Sequence, residues 1–328
     1  MRLALVTGVA GFIGSHLAER LLAEGWAVRG IENFDPYYER AFKERNLAGL
    51  RDRPGFELVT ADLGTAPLEA LVEGVDCVFH LAARPGVRAS WGEAFADYAR
   101  INVLATQRLL EAVRARPVRR LVYASSSSVY GEAPAEDRAT PEDAPCRPIS
   151  PYGVSKLAAE AMVRAYHASG GVPAVALRYF TVYGPRQRPD MAFHRFLRAW
   201  LTGGTVTVLG DGRQVRDFTY VDDAVAATVA AARDGRDGEV YNIGGGCPAT
   251  LTQVFEILRA RLGPPARLEQ RPVFPGDPRA TRADTRRAQA ELGFRPATDL
   301  DEGLARMTAW MRAHLAETPT AGVRDGRG

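Results

Sequence analysis

Apolar and polar residues along this chain follow a repeating order: a short apolar run, a turn, then a segment whose apolar residues share one helical side. The runs are Leu3 to Val6, Ala27 to Ile31, Phe56 to Thr60, Cys77 to Leu81, Leu121 to Ala124 and Ala174 to Tyr179. Apolar runs of this length without alternation suit parallel strands buried on both faces. Between them, Leu17, Leu21 and Leu22 mark an amphipathic helix, a long helix is expected from about Glu93 to Arg114, and another starts at Tyr152. Strand and helix in alternation predict an α/β fold with a doubly wound parallel sheet.

After residue 180 the alternation loosens, which predicts a smaller C-terminal α/β lobe. A helix is expected from Ala192 to Leu201, with short strands at Val206 to Leu209 and Val215 to Phe218 flanking Gly210-Asp211-Gly212. Val240 to Ile243 is expected to rejoin the main sheet. The predicted division is a main domain of 1–180 plus about 219–246, a lobe of 181–218 and 247–316, and a disordered tail of 317–328. A proline-rich connection carrying Pro134, Pro141, Pro145 and Pro148 leads to the Tyr152 helix.

Composition narrows the function. The 328 residues carry a net charge of only +3 with no basic run, which argues against a nucleic-acid partner. Cys77, Cys146 and Cys247 are odd in number and widely spaced, so neither a disulfide framework nor a metal site is expected, and a reducing cytoplasm fits. No apolar run reaches the length of a membrane span. Glycines interrupt Leu3 to Val9, so that stretch does not read as a signal peptide either.

The first turn is the first chemical signal. Gly8, Gly11 and Gly14 follow a buried strand and open a helix, so the backbone around Phe12 and Ile13 can approach a pyrophosphate resting on the helix N-terminus. That arrangement is a Rossmann dinucleotide site. Glu32 ends the second strand, eighteen residues past Gly14, where an acid accepts the adenosine ribose hydroxyls and repels a 2′-phosphate. The cofactor is therefore expected to be NAD, with Asn33 sharing the contact. Asp62, beside Leu63, has two readings: a carboxylate reaching the adenine amino group, or a cap for the next turn. His80 reads as a satisfied core histidine. Leu81-Ala82-Ala83 offers small residues for close passage of the cofactor, and the Asn102 amide is expected to hold strand ends or a water near the nicotinamide.

Ser150 to Lys156 (S-P-Y-G-V-S-K) holds the second signal. Tyr152 and Lys156 stand four apart at a helix start, hence on one face. Lys156 is one of only two lysines, Lys43 being the other, against forty arginines. Retaining a compact ammonium suits lowering a phenol's pKa while donating to a ribose hydroxyl, which a planar guanidinium does not do. A surface tyrosine and a solvated lysine are the plain alternative. Ser125 to Ser128 lie at the carboxyl end of a parallel strand, where such sheets bind ligands. Tyr179, ending the sixth strand, is expected on the cofactor side, and Thr207 and Leu209 of the lobe on the substrate side. Arg216 is open between bidentate phosphate binding and a solvated arginine.

Taken together, T-G-V-A-G-F-I-G, H-L-A-A, S-S-S-S-V-Y-G, Y-G-V-S-K and R-D-F-T-Y-V-D-D resemble the extended short-chain dehydrogenase/reductases, specifically the nucleotide-sugar epimerases and dehydratases. The resemblance implies Tyr152 as acid/base, Lys156 as the ribose-binding group that lowers its pKa, and Ser126 on the reacting sugar hydroxyl. It also implies Arg216 and Asp277 on the nucleotide's phosphate and ribose, and a homodimer formed through the Glu93 to Arg114 and Tyr152 to Ser169 helices. Dehydratases of this family place Asp-Glu after the catalytic hydroxyl, and this chain has Ser127-Ser128, so epimerisation through a 4-keto sugar is implied instead. F-T-V-Y-G-P-R-Q-R-P-D-M-A is similar to the loop of UDP-glucuronate 4-epimerases, which implies that Arg188 and Thr181, with Ser127 and Ser128, face a sugar carboxylate. Arg186-Gln187 before Arg188 departs from the commoner pattern of that loop. A neutral UDP-hexose epimerase or reductase, and an NAD-binding sensor without chemistry, are the other readings.

Overall fold

The computed structural model describes residues 1–133, 138–274 and 276–317. Pro134 of the proline-rich connection and the expected tail beyond Glu317 lie outside the described residues. The chain runs through strands β1 (Leu3–Thr7), β2 (Ala27–Glu32), β3 (Phe56–Thr60), β4 (Cys77–His80), β5 (Arg120–Ser126) and β6 (Ala174–Tyr179). β7 (Val182–Tyr183), β8 (Thr205–Leu209), β9 (Val215–Asp217), β10 (Thr219–Tyr220), β11 (Val240–Ile243), β12 (Pro248–Thr250) and β13 (Arg267–Arg271) follow. Seven of them form one parallel sheet in the order β11-β6-β5-β4-β1-β2-β3. The winding reverses between β1 and β4, where a doubly wound sheet opens its ligand crevice at the strands' carboxyl ends.

The apolar runs do not alternate because both faces of the sheet are covered. Ala4, Val6, Val28 and Phe79 belong to one apolar layer, while Leu5, Val78, Leu121 and Tyr123 belong to the other. β11 joins β6, as expected. β8 and β9 flank the glycine turn but do not pair with each other: β8 pairs with β13 and β9 with β12.

Helices position the crevice. α1 (Phe12–Ala23) starts straight after the glycine turn, and Gly14 sits so close to that turn that an added Cβ would lie 2.2 Å from the Gly8 carbonyl oxygen. α2 (Arg40–Ala48) and α3 (Leu68–Val72) precede a helical run over 92–115, which includes α4 (Phe95–Tyr98) and α5 (Ala105–Ala115). The expected long helix is thus broken by a π-helical segment, Ala99–Leu104, that carries Asn102. α6 (Pro151–Gly170) begins with Pro151 in its first turn, and the Ser150 Oγ accepts the Gly153 N–H at 3.1 Å. α7 (Ala192–Thr202) and α8 (Val221–Asp234) pack on the other side.

Candidate active site

One cavity joins the glycine turn to α6. Gly8, Gly11, Phe12, Ile13 and Gly14 line one end, Glu32, Asn33, Asp62 and Leu63 border it, and Leu81, Ala82 and Ala83 form a wall. Tyr152, Lys156, Tyr179 and Arg188 line the same cavity. Residues 180 positions apart in the chain therefore share one space, as the parallel topology requires.

The first turn of α1 is built for an anion. Gly11 stands at its N-cap with no side-chain cap, and no acidic residue occupies the first turn. The Phe12, Ile13 and Gly14 amides are the groups a helix N-terminus leaves for a ligand. Gly8 has φ +70, and a Cβ there would press to 3.0 Å on the Ala82 backbone, so only glycine fits. Glu32 is buried, and its Oε1 accepts from Lys43 Nζ and from the Phe34 N–H, both at 2.9 Å. The lone repelling acid expected from the sequence is thus an ion pair, and Lys43 also lines the cavity. Both bonds fall on Oε1. Asp62 caps the following turn, accepting the Gly64 N–H at 2.7 Å, and at the cavity edge its other oxygen accepts from Asn33 Nδ2 at 2.9 Å.

At the other end, α6 stacks Lys156 one turn beyond Tyr152. Ser126 hydrogen-bonds the Tyr152 phenol. The same Ser126 Oγ accepts the Ser128 N–H at 3.1 Å and caps the short turn Ser127–Val129. Burial pushes the Tyr152 pKa above its ordinary value, while the Ser126 bond and the Arg188 charge pull it back. Burial also lowers the Lys156 ammonium to about 7, with the Glu160 carboxylate opposing. Burial thus opposes charge on both side chains, against the pull that Lys156 and the cofactor's charge together are expected to exert on the phenol. Burial strips water from both charged forms, and an amine that is itself weakened contributes little field.

His80 is the satisfied core residue expected. Its Nδ1 bonds Thr7 Oγ1 at 2.8 Å, its Nε2 bonds Thr106 Oγ1 at 2.9 Å, and burial lowers its pKa to about 3.

The sequence pattern of the NAD dependent epimerase/dehydratase family matches residues 4–244. The chain belongs to that family. It is 45% identical over 309 residues to an uncharacterised UDP-glucose epimerase of Bacillus subtilis, covering 94% of this chain and 97% of the relative. It is 37% identical over 316 residues to a UDP-glucuronate 4-epimerase of Thermodesulfobacterium geofontis, covering 95% and 96%. Among solved structures it superposes on the UDP-glucuronic acid 4-epimerase of Bacillus cereus, in complex with UDP-glucuronic acid and NAD. The TM-score is 0.92 at 40% identity, covering 96% of this chain and 100% of that one.

In this epimerase/dehydratase chain the remaining expected residues fall into four groups. Asn102 does not line the cavity: it is buried, its Oδ1 accepts the Arg84 N–H at 2.7 Å, and its Nδ2 donates to the Arg84 carbonyl and to Ser155 Oγ. The π segment turns it toward α6, so it holds the strand ends rather than a cofactor. Ser127, Ser128 and Thr181 are half-buried and do not line the cavity, and Thr207 and Leu209 lie on β8 on the face opposite buried Val206 and Val208. Arg216 and Asp277 gather elsewhere with Arg88, which donates from Nη2 to Asp277 Oδ2 at 2.9 Å. Arg216 is half-buried, and its Nη1 donates to the Val215 carbonyl at 2.8 Å.

Tyr37, Tyr38, Lys43 and Arg84 also line the cavity and were not singled out by sequence. For Lys43 the signal was present: its rarity is the same argument that drew attention to Lys156. Arg88 lies inside the H-L-A-A-R-P-G-V-R-A-S stretch, hidden among many arginines.

Proposed function

We propose that this chain is an NAD-dependent 4-epimerase of UDP-sugars, acting on UDP-glucuronate to give UDP-galacturonate. The observation that carries the substrate is the position of Arg188: it lines the cavity that holds Tyr152 and Lys156, and its charge reaches Tyr152. A guanidinium in the same cavity as the reacting centre suits a sugar bearing a carboxylate. UDP-glucose is the second reading, supported by the name of the Bacillus subtilis relative.

When bound, NAD would be held by the amides of the glycine turn and by Lys156, and would supply reversible removal of hydride from the sugar's C4. The protein's own groups do the rest. Tyr152, in its phenolate form, takes the O4 proton and later returns it. Ser126 holds that oxygen through the same hydroxyl that bonds the phenol. Lys156 donates to the ribose and adds positive charge beside the phenol when protonated. A 4-keto uronate is a β-keto acid and loses CO₂ when its carboxylate swings perpendicular to the carbonyl. Arg188, with the hydroxyls of Ser127, Ser128 and Thr181, restrains that swing. Arg216 and Asp277 take the nucleotide's phosphate and ribose, and Thr207 and Leu209 its remaining part. This assigns cofactor binding to 1–180 with about 219–246, and substrate binding to 181–218 and 247–316.

The partner is a second copy of this chain. Leu104 at 58% and Val154 at 46% are exposed on the 92–115 run and on α6, which supports a helix-to-helix dimer, and a monomer mass in sedimentation would remove it. Three free cysteines support a reducing cytoplasm. Among the described residues no helix is long and apolar enough to cross a membrane.

Purified protein mixed with UDP-glucuronate or UDP-glucose, without added NAD, tests the function. Conversion of the uronate is expected, lost at least about a thousandfold in Tyr152→Phe. Preference for the neutral sugar refutes the substrate, and full activity in Tyr152→Phe refutes the mechanism.

A further inference from the structure

Arg188 is gripped from one side. Its Nε donates to Asp190 Oδ1 at 3.0 Å and its Nη2 donates to Asp190 Oδ2 at 3.1 Å. A guanidinium has five N–H donors, so this pairing leaves both hydrogens of Nη1 and one of Nη2. One hydrogen of Nη1 and the remaining one of Nη2 point in parallel and form the other edge through which an arginine takes a carboxylate by two bonds. Asp190 is itself tied down, because Tyr37 Oη donates to its Oδ2 at 3.3 Å. Tyr37 in turn lies under the Arg84 guanidinium, 4.7 Å from ring centroid to Cζ, and Arg84 Nη1 donates to Asp35 at 2.6 Å.

The backbone on the N-terminal side of Arg188 is anchored separately. His16 bonds the Pro185 carbonyl at 3.0 Å and Arg186 pairs with Glu19 of α1 at 2.7 Å. Gln187 is buried, with its Oε1 accepting the His194 N–H at 3.0 Å and its Nε2 donating to the Val182 carbonyl at 3.2 Å. These contacts fix where the Arg188 side chain begins, and Asp190 fixes which edge it turns to the cavity.

We infer that Asp190 is a positioning residue for sugar selection: by holding the Nε/Nη2 edge of Arg188 it presents the Nη1/Nη2 edge to the carboxylate of a uronate. The inference rests on the uronate reading above. Fixing a long, rotatable side chain before the substrate arrives spares the ordering cost at binding. The opposing effect is repulsion between the Asp190 and substrate carboxylates. It is weakened because Asp190 faces outward, its side chain 34% exposed, where water and salt screen it.

Equilibrium binding and steady-state kinetics of the NAD-loaded protein, with UDP-glucuronate and UDP-glucose, separate the possibilities. Asp190→Ala is expected to raise Kd and KM for UDP-glucuronate about tenfold and to change the Kd for UDP-glucose by less than about twofold. Asp190→Glu is expected to recover much of the loss, and Tyr37→Phe to show a smaller loss of the same selectivity. Unchanged or tighter uronate binding in Asp190→Ala overturns the inference, because the carboxylate would then be a bystander or a competitor. Equal weakening of both sugars overturns it too, since that is what a general disturbance of the loop does. Wild-type protein without preference for the uronate overturns the reading beneath as well, and only that result does.

Discussion

The Lys156 ammonium sits over the ring of Tyr123, 4.4 Å from its centroid, with both residues buried. Among the described residues the Tyr123 hydroxyl has no hydrogen-bond partner, so the ring is what serves the cation. Tyr123→Phe keeps the ring and removes an unsatisfied polar group. Urea unfolding is expected to show stability unchanged or raised by about 1 kcal/mol. A loss larger than that would mean that the hydroxyl has a structural partner.

The same burial gives a pH signature. The folded chain loses the Lys156 proton near pH 7, whereas an unfolded lysine keeps it to about 10.4. Between those values the unfolded state binds more protons, so this group makes stability rise with pH across the window and leaves it flat below. Melting of cofactor-free wild type and Lys156→Met across that range is the check. The difference between the curves is expected to grow in favour of wild type as pH rises from neutral, and parallel curves would show that the ammonium is not weakened.

Behind the site, Arg178 and Glu160 form a buried pair, with Nη2 to Oε1 at 2.5 Å and Nε to Oε2 at 3.0 Å. Ser125 at the cavity wall donates to the same carboxylate at 2.5 Å, and Arg178 Nη1 donates to Tyr130 Oη at 2.7 Å. Arg178→Met strands a buried carboxylate and is expected to cost about 3–5 kcal/mol in denaturant titration. Adding Glu160→Gln removes the stranded charge and is expected to return part of that loss. A double variant no more stable than the single one would show that the network, not the charge, sets the cost.

Much of the fold was legible because its signals are local. Apolar runs such as Ala174 to Tyr179 report burial on both faces, and the Gly8 to Gly14 spacing reports a turn that only glycine can make. Tyr152 and Lys156 were readable because helical spacing is a property of neighbours in the chain. The π segment at Ala99–Leu104 was not readable, because a slip of one residue in the apolar phase is hard to see in a short run, and so the sequence left Asn102 open between holding the strand ends and a water near the nicotinamide.

By itself the sequence determined the parallel sheet, the dinucleotide turn and the tyrosine-lysine pair, each written within a few consecutive residues. Tertiary structure alone decided that Lys43 neutralises Glu32, that Arg88 meets Asp277, that Tyr37 reaches Asp190, and that burial raises the Tyr152 pKa. Those contacts join residues far apart in the chain, and their energies depend on how much water the packed fold removes, which no single stretch of residues encodes.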